Sequence, residues 1–152
     1  MEKIVLQLLM AWVGAVSFCF MFNLRKRLIP IASVGSVLCW GIYLLGAHYY
    51  NGEFIPCLLA SAVAAFYAEI LARIKKAPAT LFLITGVLPV IPGSKLYYTM
   101  SNVVYKDWQL TKKYGMLTLE SAIAIAIGIS IIWAFSVMMQ NVLRKIRTDI
   151  DI

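Results

Sequence analysis

The sequence predicts an all-α fold: a polytopic membrane helix bundle of about five transmembrane segments, one of them broken at a Pro-x-x-Pro-Gly motif. Three observations predict it. Of 152 residues, 62% are hydrophobic and only 14% are charged, whereas a soluble domain carries about a quarter of its residues charged. The mean hydropathy is +0.83. The apolar residues fall into runs of spanning length, separated by short turns and basic clusters. This composition excludes a disordered tail, a disulfide-stapled secreted domain and most soluble enzyme folds. At about 20 residues per span, the chain is expected to form a single integral membrane domain over residues 1–152, with no room for an extramembrane one.

The first span runs from about Ile4 to Phe22 and ends at Asn23, ahead of Arg25, Lys26 and Arg27. Its apolar stretch is long for a signal-peptide core, and no small-residue cleavage site follows it. Val16, Ser17 and Phe18 do not make a lipoprotein site before Cys19, so the segment reads as a retained span. The second span begins near Pro30, a residue suited to a first helical turn, and continues to about Tyr50, where Asn51-Gly52 makes a turn. The third runs from Pro56 to Arg73, with Lys75 and Lys76 just beyond. Pro78 opens the fourth run, Ala79 to Ile91, which has Gly86, Pro89, Pro92 and Gly93 inside it or at its end. A straight helix cannot pass through PVIPG, because each proline removes a backbone donor and clashes with the preceding turn. The broken helix is expected to continue through Ser94 to about Tyr105. The last span runs from about Thr118 to Gln140, followed by a tail containing Arg144, Lys145 and Arg147.

Small residues predict how the spans touch. Ala60, Ala64, Ala68 and Ala72 repeat every fourth residue in the third span. Ala122, Ala126, Ser130 and Ala134 do so in the last, with Ala124 and Gly128 alongside. Such ridges let backbones approach closely in lipid, where hydrophobicity cannot drive helix association. They permit homo-oligomers as readily as hetero-pairs. The net charge of +7 comes from 14 Lys and Arg against 7 Asp and Glu. Because the cations cluster between apolar runs, they read as topogenic charge facing the cytoplasm, with no nucleic-acid role. With five crossings and the N-terminus outside, nine cations lie inside and five outside. If the PVIPG run instead dips in and returns, the division is ten to four, so counting does not separate the two.

No HExxH, GxSxG, glycine-rich phosphate loop or paired intramembrane Asp is present, so the reading is not an enzyme, with no cofactor and no metal. Cys19, Cys39 and Cys57 lie in or beside apolar runs and read as small core residues. His48 and the four Trp residues read as interfacial anchors. The break carries more. A helix interrupted at bilayer depth must be buried in protein or line a wet cavity, since lipid cannot satisfy the freed backbone. A half-helix after Gly93, with Ser94 as its cap, would aim its positive end at a carboxylate. The candidate substrate-binding residues are Pro89, Pro92, Gly93, Ser94, Lys95, Tyr97, Tyr98 and Asn102. The alternative is that the prolines merely kink a packing helix. Glu69 precedes Arg73 by four residues, the favourable order for a helix salt bridge, while an ionisable group in a span also marks a proton-coupling site. Glu120 fits a helix N-terminus.

The stretch from Ala68 to Met100 resembles the signature region of the threonine/serine exporter family, in its C-terminal half. The matching residues are Glu69 and Arg73, then Pro78-Ala79-Thr80 with Phe82, then Gly86, Pro89 and Pro92-Gly93, and finally Tyr97-Tyr98 with Met100. Phe22, Asn23, Arg27, Gly35, Trp40 and Tyr43 are similar to the family's first loop and second span. The resemblance implies the small subunit of the split form, working with a larger membrane subunit in the cell (inner) membrane. It implies export of threonine and serine, or of a dicarboxylate such as succinate, driven by the proton gradient. The rival reading is a non-transporting assembly subunit whose partner carries the substrate site.

Overall fold

The computed structural model describes residues 2–150, and side chains as far as Val142. Its elements are α1 (Glu2–Met21), α2 (Ile29–Tyr49), α3 (Phe54–Lys75), α4 (Ala79–Val87) with a 3-10 turn at Leu88–Val90, α5 (Gly93–Val104) and α6 (Trp108–Ile150). Helices α1, α2, α3 and α6 are each long and apolar enough to cross a membrane. The run Ala79–Val90 together with α5 makes a fifth candidate, bent by 57°. The all-α bundle and its broken segment are therefore as the composition and the prolines predict.

Local chemistry sets the element ends. Pro30 lies in the first turn of α2, where its missing N–H costs nothing. Helix α3 stops where Lys76 turns left-handed, at φ 49°. Asp107 starts α6 by accepting the Leu110 amide at its side-chain oxygen, 3.1 Å away, the geometry of an N-cap. That cap places the start of α6 ten residues before the expected Thr118, and the helix continues for 43 residues. The side chains of Arg144, Lys145 and Arg147 lie outside the described residues.

Contacts between helices fix their directions. Tyr67 at the far end of α3 donates to the Ile31 carbonyl near the start of α2 (2.7 Å), while Tyr43 late in α2 donates to Glu53 just before α3 (2.9 Å), so the two are antiparallel. The α4 run is antiparallel to α3 as well, with Phe82 clustered near Ala68, Gly86 against Ala64 and Val90 clustered with Cys57. Helix α6 is parallel to α3, since Gly128 lies on Ser61 and Ser136 on Glu69. The chain between α3 and α6 has therefore passed from one end of the bundle to the other. The dipping alternative would make α6 antiparallel to α3, and the observed order excludes it.

Helix α3 is central, touching α2, α4 and α6. Ala60, Ala64 and Ala68 are buried as the ridge predicts. The ridge on α6 is a different one. Ala122, Ala126, Ser130 and Ala134 are exposed, and the residues facing α3 are Ser121, Ala124, Gly128 and Ser136. Both rows repeat at nearly the same period, so the rotation of the helix decides between them. Gly128 settles it, because a Cβ there would come within 2.6 Å of the Leu58 carbonyl oxygen.

Two outcomes follow. Gly128→Leu should separate α3 from α6 and lower the denaturation midpoint in detergent, at a cost of about 1–3 kcal/mol for overpacking, whereas Ala126→Leu in the same chain should leave it unchanged. Cysteines placed at Lys26 and Lys76 should label from one side of the membrane, and one at Asn51 from the other.

Candidate functional site

The break is built from two consecutive turns. The Ile91 amide returns to the Leu88 carbonyl at 3.3 Å, and the Gly93 amide reaches the Ile91 carbonyl at 2.7 Å across Pro92. With φ −77° and ψ 53°, Pro92 is the centre of an inverse γ-turn. Pro92 also takes the N-cap position of α5, with no side-chain cap bond, and its carbonyl accepts from Leu96 at 3.0 Å. Ser94, expected as the cap, lies one residue inside the helix instead. The freed backbone is thus largely satisfied locally.

Val90 clusters with Cys57, which is three residues into α3 and so about 5 Å from its end at 1.5 Å per residue. The interruption lies near the end of the bundle marked by the α2–α3 connection, not at mid-depth. Helix α5 then leaves the body and packs on α6 alone. Gly93 is exposed, and nothing lies within 4 Å of a Cβ built on it. Its φ is not left-handed. Within this chain, then, neither a close approach nor a positive φ requires a glycine at this position.

The candidate residues separate into groups. Pro89 lines a groove with Leu6, Met10 and Trp40 between α1 and α2. Lys95 turns back toward the body, donating to Glu53 at 2.8 Å and to Ser121 at 3.1 Å. Tyr98 lies beside Tyr114 of α6, ring centroids 5.3 Å apart, and Asn102 bonds the Tyr98 carbonyl at 2.8 Å. Tyr97 is exposed, on the α5 surface shared with Met100, Ser101 and Val104. The structure therefore joins Lys95 to the bundle and leaves Tyr97, Tyr98 and Asn102 on the projecting hairpin.

Sequence reading missed the residues that receive Lys95. Glu53 of the α2–α3 connection and Ser121 of α6 receive it directly, and Tyr43 of α2 joins them by donating to Glu53. Burial by itself would raise the Glu53 carboxyl. Hydrogen bonds from Lys95 and Tyr43, together with the Lys95 charge, outweigh that and hold it below the ordinary carboxylate value. The signal available beforehand was an acid beside the Asn51-Gly52 turn and a lysine beside a break, both near the same side. Trp40 contributes a further donor: its indole N–H is buried and has no partner among the described residues.

At the other end of α3, Glu69 and Arg73 meet as expected, but at a long 3.8 Å. The closer coupling runs through Ser136 of α6, whose hydroxyl donates to Glu69 at 2.6 Å and accepts from Arg73 at 2.7 Å. A hydroxyl has one proton and two lone pairs, so it can serve both at once. Glu69 also faces a cavity of about 250 Å³ between α3, α4 and α6, shared with Thr80, Ser130 and Trp133. Below it, the two basic loops converge on a cleft of about 470 Å³ lined by Arg25, Arg27, Lys75 and Lys76. Among the described residues, no group of three His, Cys, Asp or Glu side chains is placed to hold a metal.

Ser136→Ala should cost about 1 kcal/mol of stability in detergent, the scale of interhelical hydrogen bonds in membranes. In a double-mutant cycle with Glu69→Ala the losses should be strongly non-additive, because both changes remove the same bond; additive losses would mean that the two side chains act separately.

The comparisons bear on these features directly. No curated protein and no solved structure matches the chain. The family model of the threonine/serine exporter ThrE matches residues 7–135, a stretch that includes α2 through α5, both ion pairs and the break. With most of its length inside that match, and with several apolar helices to cross a bilayer, the chain belongs to the threonine/serine exporter family of multi-pass membrane transporters.

Proposed function

We propose that this chain is the small membrane subunit of a secondary exporter of small carboxylate-bearing metabolites, acting with a larger membrane subunit in the cell's inner membrane and drawing on the proton gradient. The observation that carries the reading is Lys95. It sits two residues after an interrupted span, at the end of the bundle, paired with Glu53, which also accepts from the Tyr43 hydroxyl, and donating to the Ser121 hydroxyl. A cation with an adjacent phenol donor suits the carboxylate of threonine, serine or succinate. Glu69 is the proton-coupling candidate, the acid that lies within the span at the opposite end from Lys95 and beside a cavity.

The larger subunit is supported by what the bundle leaves uncovered. The row Ala122, Ala126, Ser130 and Ala134 is exposed along α6, and such small-residue rows suit close helix contact. The same observation favours the second reading, a subunit that only assembles and whose partner binds substrate. Open space around Gly93 favours it too, since a partner's surface fits there as well as a ligand.

Efflux of labelled threonine, serine and succinate should be measured from cells expressing the two subunits together and each alone, at matched membrane levels. Export should need both subunits. Lys95→Gln should depress succinate export more than threonine export, because only the dicarboxylate brings net negative charge to a cationic site. Glu69→Gln should abolish the dependence of export on the proton gradient. Unchanged export by Lys95→Gln would return the substrate site to the partner.

A further inference from the structure

At the end of the bundle where the chain breaks, a carboxylate site is assembled and already filled. The Lys95 ammonium and the Tyr43 hydroxyl both donate to one oxygen of Glu53, at 2.8 and 2.9 Å. Lys95 also reaches Ser121, at 3.1 Å. The four residues come from α2, the α2–α3 connection, α5 and α6, so the site joins parts of the chain that are far apart in sequence. An ammonium and a phenol converging on one carboxylate oxygen are what a protein uses to hold a carboxylate ligand. Here the ligand is tethered.

We infer that Glu53 is an internal stand-in for the substrate carboxylate, occupying the Lys95–Tyr43 donors when the transporter is empty and being displaced when substrate arrives. The inference rests on the exporter reading of Lys95 given above and adds Glu53, Tyr43 and Ser121 to that site.

Three features favour exchange over a fixed staple. The pair is only partly shielded, with 20% and 28% of the two side chains exposed, so water and solutes reach it. Helix α5 touches no other helix than α6, so the contact of Lys95 with Glu53 ties its first turn to the α2–α3 connection. Releasing Glu53 therefore frees the first turn of α5 from that connection. A tethered competitor also acts at an effective concentration in the millimolar range. That is enough to expel a weakly bound product, which is what an exporter needs on its releasing side.

The test uses counterflow of external labelled succinate and threonine in cells expressing the exporter pair, alongside thermal-shift titration of the purified protein with succinate and acetate. Glu53→Gln should lower the half-saturating concentration about tenfold, because the fraction of sites open to ligand rises by that factor. Tyr43→Phe and Lys95→Gln should raise it, and Glu53→Gln combined with Lys95→Gln should behave as Lys95→Gln alone. The charge swap Glu53→Lys with Lys95→Glu should restore the folded, inserted protein without restoring binding. Unchanged half-saturation in Glu53→Gln, or full export by the swap, would reduce the pair to a staple and overturn the inference. If wild-type cells show no counterflow while Glu53→Gln still sharpens acetate binding, the exporter reading fails and the carboxylate site stands. If wild-type cells transport and Glu53→Gln matches them, the reading stands and the site fails.

Discussion

Helices inside lipid gain nothing by hiding apolar surface from one another, so this bundle depends on how closely its backbones can approach α3. Where they touch, the side chains are almost absent. Gly86 of α4 meets Ala64, and a Cβ on it would lie 3.7 Å from that methyl. Gly128 of α6 has no room for a Cβ beside Leu58 and Ser61, and Gly46 of α2 lies against Pro56. Buried Ser33, Ser36, Ser61 and Thr85 return their hydroxyls to backbone carbonyls, which removes the cost of burying them. Close approach then fixes direction and register together. With α2 and α4 antiparallel to α3 and α6 parallel to it, the polar residues of different helices have definite neighbours.

The register accounts for what the sequence made legible. Spans are local features, marked by Asn23, the Asn51-Gly52 turn, Pro78 and the PVIPG run, and each survives folding because a proline or a turn ends a helix whatever surrounds it. The packing face of the third span was legible for the same reason, since its Ala60, Ala64, Ala68 repeat is a property of one helix. The rotation of the last span was not. Two small-residue rows stand side by side on it, and only the partner's surface selects the row with Gly128. Lys95 is a similar case. Its place beside the break could be read, but Glu53 lies 42 positions earlier, and nothing in either segment alone names the other. Ser136 was passed over because a serine in an apolar span usually bonds its own helix, as Ser17 does with Val13.

The position of the break changes what the prolines accomplish. A fully interrupted helix in the middle of a bilayer leaves several backbone groups to be satisfied by a ligand or a cavity. Here Leu88, Ile91 and Pro92 satisfy most of them within five residues. The prolines act instead as a corner that directs α5 away from the body after about 18 Å of helix, the length of Ala79–Val90 at 1.5 Å per residue. Past that corner α5 packs on α6 alone and is tied back to the α2–α3 connection by one ion pair. The same geometry makes Lys95 the first residue past the corner able to reach back.

The two charged clusters are spaced along α3 in a way that suits alternating access. Glu53 immediately precedes the helix and Glu69 lies near its other end, 16 residues on, or about 24 Å along the axis. Each carboxylate is tied to a different part of α6, Glu53 through Lys95 to Ser121 and Glu69 through Ser136. Because α6 is parallel to α3, a tilt between them pivoting at Gly128, where contact is closest, would loosen one cluster while tightening the other. Ser121 and Ser136 lie 7 and 8 residues to either side of that glycine, so a small rotation moves the two ends by nearly equal and opposite amounts. In the proposed cycle, that lever would couple the Glu69–Ser136 cluster to the occupancy of the Lys95 site without any direct contact between them.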